Sequence, residues 1–166
     1  MHFDFIHHVD ISSETLDNIV TLKSKIWNYS REQHFDWISK NIHPYDIHLI
    51  LKDDNILIGY LNIVDIRFND INSLGVGNVC ITPTLRSKNL GLLMMNLASY
   101  FIQSNHKPGI LLCKDHVLGF YEKCNWQKLI DKVYGPDNVL LTCNILKSPN
   151  TNYQTNDHKI MLNRLF

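Results

Sequence analysis

The stretch from residue 77 to residue 91 constrains the fold more than any other part of the chain. A largely apolar run, Gly77-Asn78-Val79-Cys80-Ile81-Thr82, ends at Pro83, and a short basic turn containing Arg86 and Lys88 follows. An amphipathic helix then begins near Asn89. The first amides of a helix have no partner within it, and the helix dipole adds about half a positive charge there. The segment therefore predicts an anion site at a strand-to-helix turn.

Two common nucleotide sites lack their sequence patterns here. The chain has no G-x-x-x-x-G-K-[ST] run, which argues against a P-loop, and no G-x-G-x-x-G run, which argues against a dinucleotide-binding fold. A pyrophosphate bound outside these two folds suggests coenzyme A.

The composition is that of one globular domain. Of the 166 residues, 45% are apolar and 19% charged, so we expect a single domain over residues 1–166. Sixteen Lys and Arg balance sixteen Asp and Glu, which gives no net field for nucleic acid or an anionic membrane. The four cysteines form no C-x-x-C pair and the histidines flank no metalloprotease glutamate, so we expect no metal. No run reads as a signal peptide or a membrane span, and we expect a cytoplasmic protein with reduced cysteines.

The apolar periodicity predicts a mixed α/β layer fold in the order βααβββαβαβ with a terminal extension. Predicted strands cover 3–8, 46–52, 56–66, 74–82, 110–113, 126–134, 139–145 and 159–166. Predicted helices run from a cap at Ser12 or Ser13 to Trp27, over 31–40, from about 89 to before Pro108, and over 118–123. Residues 53–55 and 135–138 are turn sequences, and 147–157 are predicted to be a loop.

Two segments resemble the signatures of the GNAT acetyltransferases, in which a strand runs into (Q/R)-x-x-G-x-(G/A) and then a helix. Arg86-Ser87-Lys88-Asn89-Leu90-Gly91 matches at the first and last marked positions and has Asn89 at the middle glycine. Phe120-Tyr121-Glu122-Lys123-Cys124-Asn125-Trp126 is similar to the family's F-Y-x-x-x-G-F/W, again with Asn for Gly. Because Asn tolerates a left-handed backbone and caps helices, we expect the turn to survive the change.

The resemblance implies a GNAT fold, with a mixed, mostly antiparallel central sheet flanked by helices and splayed between the fourth and fifth strands. It implies an enzyme that transfers an acetyl group from acetyl-CoA directly to a primary amine. In such an enzyme Tyr121 would protonate the departing thiolate, although a tyrosine packed in the core is the simpler explanation. The implied cofactor residues are Val79, Cys80 and Ile81 for the pantetheine arm, Arg86, Ser87, Lys88, Asn89, Leu90, Gly91 and Leu92 for the pyrophosphate, and Lys114, where many members have an asparagine.

The residues around the acceptor amine stay open. Candidates for a general base near strand ends are Asp46, His48, Asp65, Asp115 and His116, each also explained as a solvated or capping residue. In this family a two-helix region commonly lines the acceptor site, and here that region contains an aromatic cluster of Trp27, Tyr29, Phe35, Trp37 and Tyr45. Core packing explains most of these residues.

The acceptor itself is not determined by the sequence. The opening Val9-Asp10-Ile11-Ser12-Ser13-Glu14-Thr15 and the aromatic motif ending in Trp126 are faintly similar to aminoglycoside 2′-N-acetyltransferases. An amino sugar or aminoglycoside is therefore one candidate, beside other small amines, amino acids and protein amines. The alternatives are a protein N-acetyltransferase, a catalytically inactive acyl-CoA-binding regulatory module, motivated by the two Gly-to-Asn departures, and an interaction domain without CoA. A homodimer that pairs through the terminal strand also stays open.

Overall fold

The computed structural model describes residues 1–149 and 159–166, so most of the loop predicted at 147–157 lies outside the described residues. The helices are α1 Ser13–Ser24, α2 Arg31–Asn41, α3 Leu90–Ser104 and α4 Asp115–Lys123. The strands are β1 His2–His7, β2 Ile47–Asp53, β3 Ile56–Phe68, β4 Ile71–Ile81, β5 Gly109–Cys113, β6 Gln127–Lys128, β7 Val133–Tyr134, β8 Asn144–Lys147 and β9 Ile160–Met161. No helix within these two ranges is long and apolar enough to cross a membrane.

The central sheet is mixed and mostly antiparallel, as predicted. Its hydrogen-bonded order is β1-β2-β3-β4-β5-β8-β6, and β7 and β9 form a separate parallel pair. The one parallel ladder found in the large sheet joins β4 to β5, and it covers three residue pairs from Leu74–Gly109 to Val76–Leu111. Because this ladder stops at Val76, the last part of β4 has no partner in β5, which is what the predicted splay requires.

Left-handed backbone closes the two hairpins that build β2, β3 and β4. Asp54 and Asn55 have φ of 46° and 65° between β2 and β3, where the sequence predicts a turn. Asn69 and Asp70 have φ of 50° and 63° between β3 and β4. Two successive residues with positive φ are the requirement of a type I′ hairpin turn, which matches the twist of the flanking strands.

The first two helices begin at serine caps. Ser12 accepts the N–H of Thr15 at 3.1 Å, which settles the predicted choice between Ser12 and Ser13. Ser30 and Gln33 form a reciprocal capping box at the start of α2. Each cap satisfies amides that the first helical turn leaves without an acceptor.

The strands predicted near the C-terminus are wrong in extent. The run 126–134 contains only the short β6 and β7, the run 139–145 forms a strand only from Asn144, and the run 159–166 forms only β9. The N–H of Gly135 bonds the carbonyl of Val139 and the N–H of Leu141 bonds that of Val133, so a local turn takes the backbone groups that a longer strand would need. Ile130 is 96% exposed, which shows that an apolar residue in this run has no core to face.

The chain forms two compact units, Met1–Val64 with Gly77–Met95 and Asp65–Val76 with Asn96–Phe166. One core cluster of the first unit consists of buried residues from α1, β2, β3 and β4, namely Ile19, Leu22, Ile50, Tyr60 and Cys80. In the second unit Trp126 is almost fully buried and donates from Nε1 to Ser99 Oγ at 3.2 Å.

Candidate functional site

The turn between β4 and α3 has the strand-to-helix form that the sequence predicts. The N–H of Thr82 donates to the carbonyl of Ile58 at 2.8 Å, which ties the end of β4 to β3. Pro83–Leu85 then make one turn of 3-10 helix. The N–H of Leu93 donates to the carbonyl of Asn89 at 3.0 Å, so α3 begins directly after Asn89.

The amides of residues 87–92 are left for a ligand. Within the described residues no hydrogen-bond acceptor is found for these six N–H groups, and those of 90–92 have no intrahelical partner by geometry. Arg86, Ser87, Lys88 and Asn89 are exposed, so an anion reaches the turn from solvent. The combination of free amides, a helix start and two cations favours a phosphate group.

Asn89 occupies a left-handed position, which is the conformation expected for a residue that replaces the signature glycine. Its φ is 59°, and Ser87 two residues earlier has φ of 67°. Left-handed backbone is open to few residues besides glycine, and Asn is the most frequent of them. The change from Gly to Asn therefore keeps the backbone path of the turn.

The start of α3 lies close to β3 because position 59 is a glycine. A Cβ atom on Gly59 would come within 2.6 Å of Met94 Sδ and 2.7 Å of Ile81 Cδ1. Met94 is fully buried, so the contact sets the height of the first helical turn above the strands.

The second signature segment, residues 120–126, forms the C-cap of α4. This cap explains why the F-Y-x-x-x-G-F/W pattern has a glycine at the position of Asn125. The N–H of Asn125 bonds the carbonyl of Glu122 at 2.9 Å, and the N–H of Trp126 bonds that of Tyr121 at 3.1 Å. This is the pair of bonds of a Schellman motif, whose left-handed residue is Asn125 with φ of 64°. Asn again meets a dihedral requirement that glycine usually meets.

Tyr121 and Lys114 belong to the second unit. Tyr121 is 9% exposed, and its ring lies 5.0 Å from that of Phe120 at 64°. Lys114 is exposed and occupies the N-cap position of α4 without a side-chain cap bond. The proton-donor role of Tyr121 and the cofactor contact of Lys114 stay predictions.

The predicted pantetheine residues lie at the end of β4. Val79 is partly exposed, whereas Cys80 and Ile81 are buried. Burial raises the pKa of Cys80 to about 12, so its side chain is a neutral thiol at pH 7. Backbone groups of Val79 and Ile81, rather than this thiol, are what the strand offers a ligand.

Three candidate bases lie in the second unit. Asp65 pairs through Oδ1 with Lys107 Nζ at 2.6 Å. Asp115 accepts from Asn144 Nδ2 at 2.7 Å, and His116 beside it is exposed. The two carboxylates therefore have structural partners, which favours the capping and ion-pair explanations for them.

The two candidate bases of the first unit are buried. His48 Nε2 is hydrogen-bonded to His8 Nδ1 and His48 Nδ1 to the Tyr60 hydroxyl, each at 2.9 Å. Burial, helped by His8, lowers the pKa of His48 to about 4, so the imidazole is neutral at pH 7. Asp46 accepts the N–H of His43 at 2.7 Å. His48 is thus a link in a buried chain of hydrogen bonds.

Two aromatic residues of the two-helix region, Trp27 and Trp37, lie beside a buried lysine. Lys23 is 2% exposed, and its Nζ lies 4.4 Å from the ring centre of Trp37 and 5.9 Å from that of Trp27. Burial lowers the pKa of Lys23 to about 8. Core packing does not account for Tyr29 and Tyr45, which are 61% and 75% exposed.

Two buried polar residues of this unit, Lys23 and Asn62, are not among the predicted site residues. Lys23 falls on the apolar stripe of α1, and Asn62 interrupts the apolar run of β3. Asn62 is fully buried, its Oδ1 accepts from Asn78 Nδ2 at 2.7 Å, and its Nδ2 has no partner among the described residues. A lone polar residue inside an apolar pattern is the signal that would have indicated that Lys23 and Asn62 are buried. In residues 1–149 and 159–166 no group of three His, Cys, Asp or Glu side chains could hold a metal ion.

Comparison with known proteins shows the fold of this chain. No protein-family model and no curated protein matches the sequence. An acyl-CoA N-acyltransferase from Pseudomonas aeruginosa is similar in structure, with a TM-score of 0.68 at 18% identity over 89% of this chain and 99% of that one. An aminoglycoside 6′-N-acetyltransferase solved with coenzyme A has a TM-score of 0.71 at 11% identity, over 93% and 100% of the two chains. A GNAT family acetyltransferase from Brucella melitensis, solved with acetyl-CoA, has a TM-score of 0.61 at 11% identity over 94% of each chain.

These likenesses confirm the predicted fold. The chain has the fold of GNAT acetyltransferases, with the mixed sheet and the four helices found in the described residues. At these identities the comparison concerns the fold alone, and the chemistry is argued from the residues.

Replacing Lys23 by Met should stabilise the protein near neutral pH. The folded-state pKa of about 8 lies below the ordinary 10.5, so the unfolded chain binds more protons and stability rises with pH between these values. Lys23→Met removes a buried charge, and we expect roughly 1–3 kcal/mol more stability at pH 7, with the gain shrinking toward pH 10. Urea unfolding of the wild type and the variant at pH 7, 8.5 and 10 measures the gain in stability and its decrease with pH. The exposed Lys25 supplies the control Lys25→Met, and a gain that does not depend on pH contradicts the prediction.

Proposed function

We propose that the protein is an N-acetyltransferase that transfers the acetyl group of acetyl-CoA directly to a primary amine of a small molecule. The observation that carries the proposal is the run of six amides, residues 87–92 between β4 and the first turn of α3, for which the described residues supply no acceptor. Its support is the fold, which is similar to structures solved with coenzyme A and acetyl-CoA.

The cofactor half of the reaction is assigned to one continuous segment. The amides of 87–92, with the charges of Arg86 and Lys88, bind the pyrophosphate. The backbone of Val79 and Ile81 pairs with the pantetheine arm, and Lys114 is a further contact by resemblance. Most of this binding comes from backbone groups, so it depends on the path of the turn more than on any one side chain.

The chemistry requires one bond to form and one to break. The amine nitrogen attacks the thioester carbon, the C–S bond breaks, the nitrogen loses a proton and the thiolate gains one. Tyr121 is proposed to give the proton to the sulfur. No residue is proposed as the general base. The three carboxylate candidates have structural partners, His48 is buried and neutral, and the exposed His116 stays an untested candidate.

An inactive acyl-CoA-binding module is the less favoured alternative. Its motivation is the two departures from glycine, at Asn89 and Asn125. Both residues adopt the left-handed conformation that the glycines would supply, with φ of 59° and 64°. The departures therefore give no reason to expect lost binding.

The acceptor is proposed only as a class. Amino sugars and aminoglycosides are included because of the faint resemblance to 2′-N-acetyltransferases and the similar fold of a 6′-N-acetyltransferase. These two differ in the amine they modify, so we propose no position on a sugar. Small amines and amino acids complete the class, and a protein amine, tested with the short peptide, is the alternative acceptor.

An assay with acetyl-CoA and an amine panel tests the function. Thiol release is followed with ethanolamine, glucosamine, an aminoglycoside, an amino acid and a short peptide. We expect release with at least one amine, and a stabilisation of about 2.7 kcal/mol when acetyl-CoA is present at ~100 times its dissociation constant. No release across the panel with a clear thermal shift would favour the binding module. If the assay shows neither thiol release nor a thermal shift, the enzyme proposal has no support.

Substitution of Asn89 tests the turn. Asn89→Gly retains the left-handed backbone, so the KM for acetyl-CoA should stay within about threefold. Asn89→Val places a β-branched residue at positive φ and should raise that KM roughly tenfold or more. Asn138, also left-handed, supplies the control Asn138→Val, which should lower the melting temperature without changing the KM. Equal KM values for the two Asn89 variants would place the phosphate elsewhere.

Tyr121→Phe tests the proton donor. Loss of the phenol should lower kcat roughly 100-fold at neutral pH while the KM for acetyl-CoA stays near that of the wild type. Tyr100 is 72% exposed, so Tyr100→Phe removes a hydroxyl without expected effect. Full kcat in Tyr121→Phe across the pH range would show that the tyrosine is a packing residue.

A further inference from the structure

The inner part of β4 opens to solvent at one place. Asn78 and Val79 are partly exposed, whereas Gly77 before them and Cys80 after them are buried. Asn78 also has φ of 53°, a left-handed conformation inside a strand. Such strained residues persist where their surroundings enforce them, and they concentrate at functional sites. The strand that is proposed to hold the cofactor therefore presents a carboxamide at its open position.

Asn62 fixes the orientation of this carboxamide. Asn78 Nδ2 donates to Asn62 Oδ1 at 2.7 Å, and no other hydrogen bond of the Asn78 side chain is found in the described chain. Asn62 is fully buried and lies opposite His48 in the β2–β3 register. Because the oxygen and nitrogen of a carboxamide diverge, the bond through Nδ2 leaves Asn78 Oδ1 available as an acceptor.

His48 and Tyr60, which lie behind this pair, carry no charge at pH 7, although Lys23 and Asp46 act electrostatically on His48. His48 is buried and bonded to Tyr60 at 2.9 Å, and burial keeps the imidazole neutral and the phenol protonated. Asn62 Nδ2 is a further neutral group, for which the described residues supply no partner. Asn78 Oδ1 is an acceptor of the kind that the N–H groups of an uncharged amine need.

We infer that Asn78 binds the reacting primary amine through Oδ1 and that Asn62 is the positioning residue that orients it. The inference rests on the proposed function. An N–H of the neutral amine donates to Asn78 Oδ1, which leaves the nitrogen lone pair for the thioester carbon. After attack the nitrogen of a primary amine has two hydrogens. One leaves as a proton to water, and the other stays on the nitrogen and donates to Asn78 Oδ1, while the C–S bond breaks and the thiolate takes the proton proposed to come from Tyr121. A secondary amine has one hydrogen for both tasks, so the pair selects primary amines.

Asn78→Gly tests the inference, because glycine adopts the same φ without the carboxamide. The probes are the best amine of the panel and its N-methyl analogue. We expect kcat/KM for the primary amine to fall roughly ten- to hundredfold and the preference over the analogue to collapse toward one. The KM for acetyl-CoA should not change, while the melting temperature should fall modestly because the buried Asn62 Oδ1 loses its donor. The control is Asn55→Gly, the same substitution at a left-handed residue of the β2–β3 turn.

Asn62→Leu separates positioning from folding. Its kcat/KM for the primary amine should fall less than that of Asn78→Gly, with the KM for acetyl-CoA unchanged. An Asn78→Gly enzyme with unaltered amine preference overturns the inference and leaves the proposed function intact. A parallel loss of acetyl-CoA binding and melting temperature in both variants shows a structural role and also overturns it. If the wild-type protein releases no thiol from acetyl-CoA with any amine of the panel, both proposals are overturned.

Discussion

The architecture depends on residues that hold the backbone in the left-handed region. Ten of the described residues have such φ values, six of them are asparagines and none is a glycine. Most of them lie where the chain changes direction, including the hairpins around β3, the start of α3 and the end of α4, whereas Asn78 lies inside β4. Each of these positions sets the path of a neighbouring strand or helix. The turn proposed to bind the pyrophosphate and the cap behind Tyr121 both rely on this conformation.

Much of the first unit could be predicted because local chemistry and long-range packing agree there. The serine at the start of α1, the Asp-Asn turn after β2 and the strand ending at Pro83 each specify a conformation by themselves. The proposed cofactor half of the site belongs to this category, since the groups proposed to bind the pyrophosphate are backbone amides whose positions follow from a helix start.

The remainder depends on contacts between residues distant in sequence. The apolar residues of 126–145 predict longer strands, but the turn closed by Gly135 takes their backbone partners. Lys23 reads as the edge of an apolar stripe, and only the packing of Trp27 and Trp37 shows that its ammonium is buried between rings. The bond between Asn62 and Asn78 joins two strands at a register that periodicity does not give.

The asparagines at the two signature glycines have a consequence for how such motifs are defined. A turn is specified by its dihedral angles, and the residue type is only the commonest way to reach them. A pattern written in glycines excludes any chain that reaches the same angles with asparagine, although the two backbones coincide. Signatures for strand-to-helix turns are therefore better expressed as a sequence of allowed φ regions, in which Gly and Asn are alternatives.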